Sequence, residues 1–472
     1  MAAEAVVIGS GPNGLAAAVT LAELGHRVVV YEAANEIGGG TRSAQLTIPG
    51  FVHDVCSSVY PMAAASPFFR RLDLEQFGLR WVQPKAPLAH PFDDGSAILV
   101  RRSLDETAAQ FGADAAPVRA WLGLFVSHWS ELSADILRPA RFPRHPWLLA
   151  QFGRDALFPA ASVAVRKLKT EKARAVFAGL AAHSVMPLTA WGSAAFGVLL
   201  WATCHSVGWP FALGGAQSIP NALSRYLQRL GGKIETNARI ESLSGLPKKA
   251  LVVCDVTPKQ FLKIAGDRIS TRERSRLSNF RYGPGVFKVD WALDGPVPWN
   301  APECREAGTV HIGASLEEIA DSEERAWSGA PSDKPFILLA QPSLFDPARA
   351  PAGKHTAWAY CHVPNGSKAN MLDAIERQIE RFAGGFRARV IGRSVMSPAD
   401  MEAHNANLVG GDFSGAMSLG RLARKSTSWS YRTSAPGVFL CSSSTPPGPG
   451  VHGLCGYFAA QLAHSTSLKN PW

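Results

Sequence analysis

The sequence predicts an α/β protein in which a parallel-sheet domain is interrupted by an inserted α+β domain, built of a mixed or antiparallel sheet and cap helices. Two observations carry this expectation. Strand, glycine-rich turn, helix and strand follow one another within residues 4–32, the crossover unit that a parallel strand pair requires. Further along, alternating segments and a helix-rich stretch do not belong to that unit. With 472 residues the chain also exceeds the size at which one core keeps growing, so two domains sharing a long interface are expected.

In chain order, residues 4–9 read as a buried strand, 14–25 as an Ala-rich helix and 28–32 as a second strand. From about 105 to 205 the pattern turns to helices rich in Ala, Leu, Phe and Trp, broken by Pro139, Pro143, Pro146 and Pro159, as caps over a cavity would be. Then come a Gly-Gly pair, a helix from Ile219 to Leu230, a Gly231-Gly232 stop, a strand from Arg239 to Leu243 and a short buried strand at 251–254. These return the chain to the first domain. Residues 285–293 and 354–363 alternate like antiparallel strands, and 371–383 like an amphipathic helix. The chain closes as a strand, Val438 to Cys441, a loop, and a helix from about 453.

Apolar residues make up 46% and charged residues 18%, the balance of a globular protein and not of a disordered one. The seven cysteines are scattered and contain no C-x-x-C pair, which suits neither a disulfide framework nor a zinc site, and no metal is expected. An apolar strand starting almost at the first residue leaves no room for a signal peptide, and no run of about 20 apolar residues would span a bilayer. A cytoplasmic protein is therefore expected. The net charge of +10 is largely local: residues 136–174 hold nine Lys or Arg against two acids. No nucleic-acid partner is read from it. Interleaved with Trp147, Leu148, Leu149, Phe152, Leu157 and Phe158, this stretch is a candidate for peripheral contact with the inner face of an anionic membrane. The competing reading makes those apolar residues core and the charges their solvated outer face.

Gly9-Ser10-Gly11-Pro12-Asn13-Gly14 fits G-x-G-x-x-G: the first glycine makes a tight turn, the second admits a pyrophosphate, and the third lets helix and strand pack. The helix start offers free N–H groups to phosphates. Glu32, eighteen residues beyond Gly14 at the end of the second strand and followed by Ala33, can accept hydrogen bonds from an adenosine ribose. This is a Rossmann-type unit. Gly38-Gly39-Gly40-Thr41-Arg42 follows, a turn that runs close along a pyrophosphate and brings a guanidinium to it, which points to FAD and not NAD. Gly448-Pro449-Gly450-Val451-His452-Gly453 also matches the fingerprint, but too few residues follow for a second nucleotide unit. It reads as a loop entering a helix whose positive end faces the flavin.

With the stretches VVIGSGPNGLAAAVTLAELGHRVVVYEA, GGGTRS, GWPFALGGAQSIPNAL, YGPGVFKVDWALDGPVPW, LLAQPSLFDPARAPAGKHTAWAYCHVP and CSSSTPPGPGVHGLCGYFAA, the chain resembles the phytoene desaturase-related branch of the FAD-linked amine oxidase and carotenoid desaturase superfamily. Within it the resemblance is strongest to proteins labelled pyridine nucleotide-disulfide oxidoreductase domain 2. The resemblance implies an FAD-binding domain in three segments, 1–75, 206–280 and 420–472, and a substrate domain at 76–205 and 281–419. Carried over by motif, Gly9, Gly11, Pro12, Asn13, Gly14, Glu32 and Ala33 hold the ADP half, and Gly39, Gly40, Thr41 and Arg42 the following turn. Ile240 is the strand position whose backbone meets the adenine, and Ser444, Gly450, Val451 and His452 lie in the flavin loop. The usual acidic residue of that loop is replaced by Cys441-Ser442-Ser443-Ser444. Without C-x-x-C, disulfide exchange of the usual kind is excluded.

Lys288 falls where amine oxidase relatives place a lysine that holds a water against flavin N5. By alternation it shares a face with Asp290, opposite Phe287, Val289, Trp291 and Leu293; the alternative is a solvated sheet face with an ion pair. His452 is a candidate acid or base near the ring, or a loop residue bonded to backbone. His205, His362, Tyr360 and His404 are weaker candidates. No Ser-His-Asp set or paired carboxylates compete, which suits an enzyme whose cofactor accepts the hydride. The expected function is an FAD-dependent dehydrogenase or desaturase acting on a small, largely apolar substrate. The alternatives are a redox-neutral flavin isomerase of a polyene, or an FAD-bound interaction protein.

Overall fold

The structure, a computed structural model, describes residues 4–247, 249–415 and 431–469. Its first sheet is wholly parallel, in the order Lys233–Glu235, Arg27–Tyr31, Glu4–Ile8, Leu251–Cys254, Val438–Leu440. Val6, Val7, Val28, Val30, Val252 and Val253 are buried, as the near-continuous apolar runs of a sheet covered on both faces require. The helix Pro12–Glu23 covers one face, and the carboxy-terminal helix Leu454–Lys469 packs directly on it. Glycines allow that approach: a Cβ on Gly14 would lie 2.1 Å from the carbonyl oxygen of Gly9, and one on Gly456 1.8 Å from that of Asn13.

One expected strand is displaced. The pairing of the edge strand covers Lys233–Glu235, and residues 239–243 do not form a strand. Asn237, in the left-handed region at φ 54°, turns the chain off the sheet edge, its N–H bonding the carbonyl of Ala34 and that of Ala238 the carbonyl of Glu32. The start of the expected third FAD segment, 420–430, lies outside the described residues.

The second sheet has seven strands in the order Val390–Met396, Gly285–Leu293, His355–Val363, Ile337–Ala340, Ala307–Ile312, Ala86–Pro91, Ala97–Val100. It is antiparallel except where Ala307–Ile312 runs parallel to Ala86–Pro91. One face, with Phe287, Val289, Trp291 and Leu293, packs on the helix Leu372–Phe382. The solvated-face reading of Lys288 and Asp290 is corrected: both are buried, because their strand is flanked on each side and its second face is roofed by the first domain. Helices between Leu104 and Ser206 close the far side, around Trp121, Phe125, Phe177 and Trp201.

Candidate active site

A cavity of about 1070 Å³ lies where the carboxyl ends of the parallel strands, the second sheet and the helices meet. Ligands of open parallel sheets bind outside the carboxyl ends of the strands, so its place follows from the topology. Gly9, Gly11, Pro12, Asn13, Glu32, Ala33, Gly39, Gly40, Arg42 and Ile240 line it, as do Lys288, Gly450, Val451 and His452. Three expected contact residues do not. Gly14 is spent on packing, and Thr41 turns its hydroxyl inward to the carbonyl of Gly38 at 2.7 Å. Ser444 gives way to Ser442 and Ser443, which reach the cavity instead.

At the nucleotide end, the N–H of Ser10 donates to Glu32 Oε2 and that of Ala34 to Glu32 Oε1, both at 2.9 Å. These bonds aim the carboxylate while leaving acceptor capacity on Oε1 for a ribose hydroxyl. Arg42 Nη2 donates to the carbonyl of Glu36 at 2.6 Å and stands 3.5 Å from Glu32 Oε1. Asp255, which the sequence reading missed, follows the strand Leu251–Cys254. Its Oδ2 accepts from Gly14 N–H at 2.8 Å, capping the first helix from another strand. Burial pushes this carboxyl up to about 7. A Cβ on Gly11 would lie 2.7 Å from the same oxygen, and Asn13 Oδ1 is buried with no partner among the described residues. A bare glycine turn, a ribose carboxylate and an unspent amide oxygen fit an FAD adenosine diphosphate.

In the carboxy-terminal loop, Leu454 N–H donates to His452 Nδ1 at 3.0 Å, so the ring proton is on Nε2, which lies 3.1 Å from the carbonyl of Gly448. Burial lowers the imidazole to about 4. With both nitrogens engaged by its own loop, His452 shapes that loop, and its candidacy as acid or base is withdrawn on this geometry.

Beyond the nucleotide end the floor is the second sheet. Lys288, 1% exposed, forms an ion pair with Asp290 and lies 5.6 Å from the ring centre of Trp358. Burial raises the Asp290 carboxyl to about 6, opposed by Lys288. Burial, with Lys288 next, lowers nearby His53 to about 3, its Nδ1 standing 3.6 Å from Asp290. A buried lysine kept beside a carboxylate at the cavity floor retains N–H groups to hold a water. Cys56 also lines the space, but burial pushes its thiol up to about 11, unsuited to thiolate chemistry. Tyr360 and His404 reach the cavity; His205 does not, and His362 is bound to Glu323 at 2.8 Å. The roof is apolar, with Ile136, Leu137, Phe152, Phe196, Leu199 and Leu200.

A family model described as an NAD(P)-binding Rossmann-like domain matches residues 7–72. The pyridine nucleotide-disulfide oxidoreductase domain-containing protein 2 of Rattus norvegicus is 26% identical, over 99% of this chain and 94% of its own. A 4,4'-diapophytoene desaturase (4,4'-diaponeurosporene-forming) of Staphylococcus haemolyticus is 23% identical, over 94% and 95%. Among solved structures, a putrescine oxidase bound to putrescine shares the fold at a TM-score of 0.61 and 16% identity, over 99% of both chains.

Proposed function

We propose that this chain, an FAD-dependent oxidoreductase of the amine oxidase and carotenoid desaturase superfamily, removes hydride from a C–H bond of a small, largely apolar substrate. The observation that supports it most is the continuity of the cavity, from the glycine turn past Lys288 to an apolar roof. Bound FAD supplies the hydride acceptor. The chain's own part is to hold the dinucleotide through Gly9 to Asn13, Glu32 and Arg42, to exclude water with the helical roof, and to orient the substrate on the Trp358–Tyr360 floor. Lys288 positions a water beside the flavin. The three-segment division of the FAD-binding domain belongs to the same proposal, since strands at 4–31, 233–254 and 438–440 make one sheet.

Anaerobic mixing of the flavoprotein with apolar candidates tests the reading. Bleaching of the flavin is expected; product without net redox change would make the chain an isomerase, and neither outcome would leave a binding role. Lys288→Met should slow reoxidation of the reduced flavin by oxygen much more than it loosens FAD. Unchanged reoxidation would remove the water-holding role.

The same proposal includes a membrane contact. The helix Pro146–Ala156 divides the apolar residues of this stretch: Leu148 and Phe152 face the core, whereas Trp147 is 62% exposed. Phe142 at 87%, Val165 at 56% and Trp191 at 58% exposure join it, with Arg141, Arg144, Arg154 and Lys169 exposed in the same stretch. The inner side of these helices roofs the cavity, which offers a lipid-like substrate a short route inward. No helix among the described residues is long and apolar enough to cross a membrane.

A further inference from the structure

Beyond Lys288 the cavity is largely apolar, but not at its end. In the second sheet, Lys288, Tyr360, Leu338 and His311 stand in register on successive strands, so His311 lies three strand spacings, about 14 Å, from Lys288. At that far end His183 lines the cavity and its Nε2 meets His311 Nε2 at 2.9 Å. Burial lowers His183 to about 3, and His311 falls well below its ordinary value, so both rings are neutral and one donates to the other.

Which one donates follows from packing. His311 Nδ1 is buried with no partner among the described residues and presses on Gly179, where even a Cβ would lie 2.7 Å away. An N–H there would be stranded against the helix, whereas a bare lone pair costs less. His311 therefore donates through Nε2, and the proton of His183 sits on Nδ1. Two strand positions back on the same face, Thr309 lines the same end with its hydroxyl buried and unpartnered among the described residues. An imidazole donor and an unspent hydroxyl at the end of a greasy channel are costly unless a ligand meets them.

The charges nearby select the kind of ligand. Every lysine or arginine lining the cavity among the described residues is Arg42, Arg239, Lys263 or Lys288, none on the strand of Thr309 and His311. A carboxylate would find only neutral donors and no lysine or arginine on that strand; a hydroxyl or carbonyl finds its complement.

Resting on the reading of an apolar substrate, we propose that His183 and Thr309 receive a neutral oxygen group. The substrate is then an apolar molecule carrying a hydroxyl or carbonyl at the end remote from the reacting C–H, and not a plain hydrocarbon or a fatty acid anion.

The FAD-loaded protein is titrated with dodecanol, dodecane and dodecanoate from a cyclodextrin carrier, following the flavin spectrum. Dodecanol is expected to bind about tenfold tighter than dodecane, and tighter than dodecanoate. The dodecanol-to-dodecane ratio should fall to about threefold or less in Thr309→Val, whose shape is conserved, and in His183→Leu. Equal binding of dodecanol and dodecane, tightest binding of dodecanoate, or a ratio unmoved in both variants overturns the polar end alone. No spectral response to any of the three overturns it together with the apolar-substrate reading.

Discussion

Asp255 joins the two halves of the nucleotide end: it caps the first helix through Gly14 N–H while lining the space that a pyrophosphate would enter. Burial raises its carboxyl to about 7, with Glu32 adding to the rise and the Gly14 hydrogen bond opposing it. Below that value the group is neutral and tolerates phosphate; above it, an ionised carboxylate repels the dinucleotide, whose own charge moves the transition further upward. Flavin release, read by fluorescence of the freed cofactor, should therefore increase as pH rises from 7 to 9, and Asp255→Asn should flatten the profile while keeping an acceptor for Gly14. A wild-type profile already flat would contradict this. Gly9, Gly11 and Glu32 were legible in the sequence because their pattern is local and each residue type answers one steric or hydrogen-bonding need. Asp255 was not, because it meets Gly14 across 241 residues of sequence; the strand before it was read, but not what its end abuts. His183 and His311 were silent for the same reason.

At the scale of elements, the carboxy-terminal helix is clamped on the first helix at Gly456, and the atom in the way of any side chain there is backbone, the carbonyl oxygen of Asn13. Flexible neighbours cannot yield in its place. Gly456→Ala should destabilise the protein by about 1–3 kcal/mol in thermal unfolding and weaken FAD retention, since the displaced residues carry the phosphate turn. Wild-type stability in that variant would mean that the helices slide apart without cost. Periodicity exposed both helices, but not the depth of their contact. The helix Pro146–Ala156 poses the opposite case: spacing alone could not say which apolar residues were core, and the fold divides them. Flotation with anionic vesicles should show binding that weakens with salt, each basic residue contributing about 1 kcal/mol. Phe142→Ser with Trp147→Ser should reduce it without changing unfolding, because both side chains are exposed. Absence of binding at low salt would return the surface to a solvated face.

The whole molecule is two sheets meeting across a cavity, and the cavity takes residues from both: Gly9, Glu32 and Asp255 from the first, Lys288, Leu338 and Tyr360 from the second. A ligand in that space would touch both sheets. The alternation of 285–293 and 355–363 announced the second sheet, yet the burial of Lys288 and Asp290 came from the domain above them, which no local pattern encodes. A cofactor bound only by the folded state stabilises it by mass action, about 2.7 kcal/mol at a hundredfold excess over its dissociation constant. Divided by the unfolding entropy of a chain this long, that is a rise in Tm of about 3 °C. Because such a ligand would touch both sheets, its effect should not stop at Tm. The FAD-loaded protein should unfold in one transition. Stripped of flavin, it should unfold earlier and in a broader or divided transition, as the sheets lose the contact that couples them. Calorimetry of the same preparation before and after flavin removal decides this: coincident, equally sharp transitions would mean that protein contacts alone hold the two sheets together.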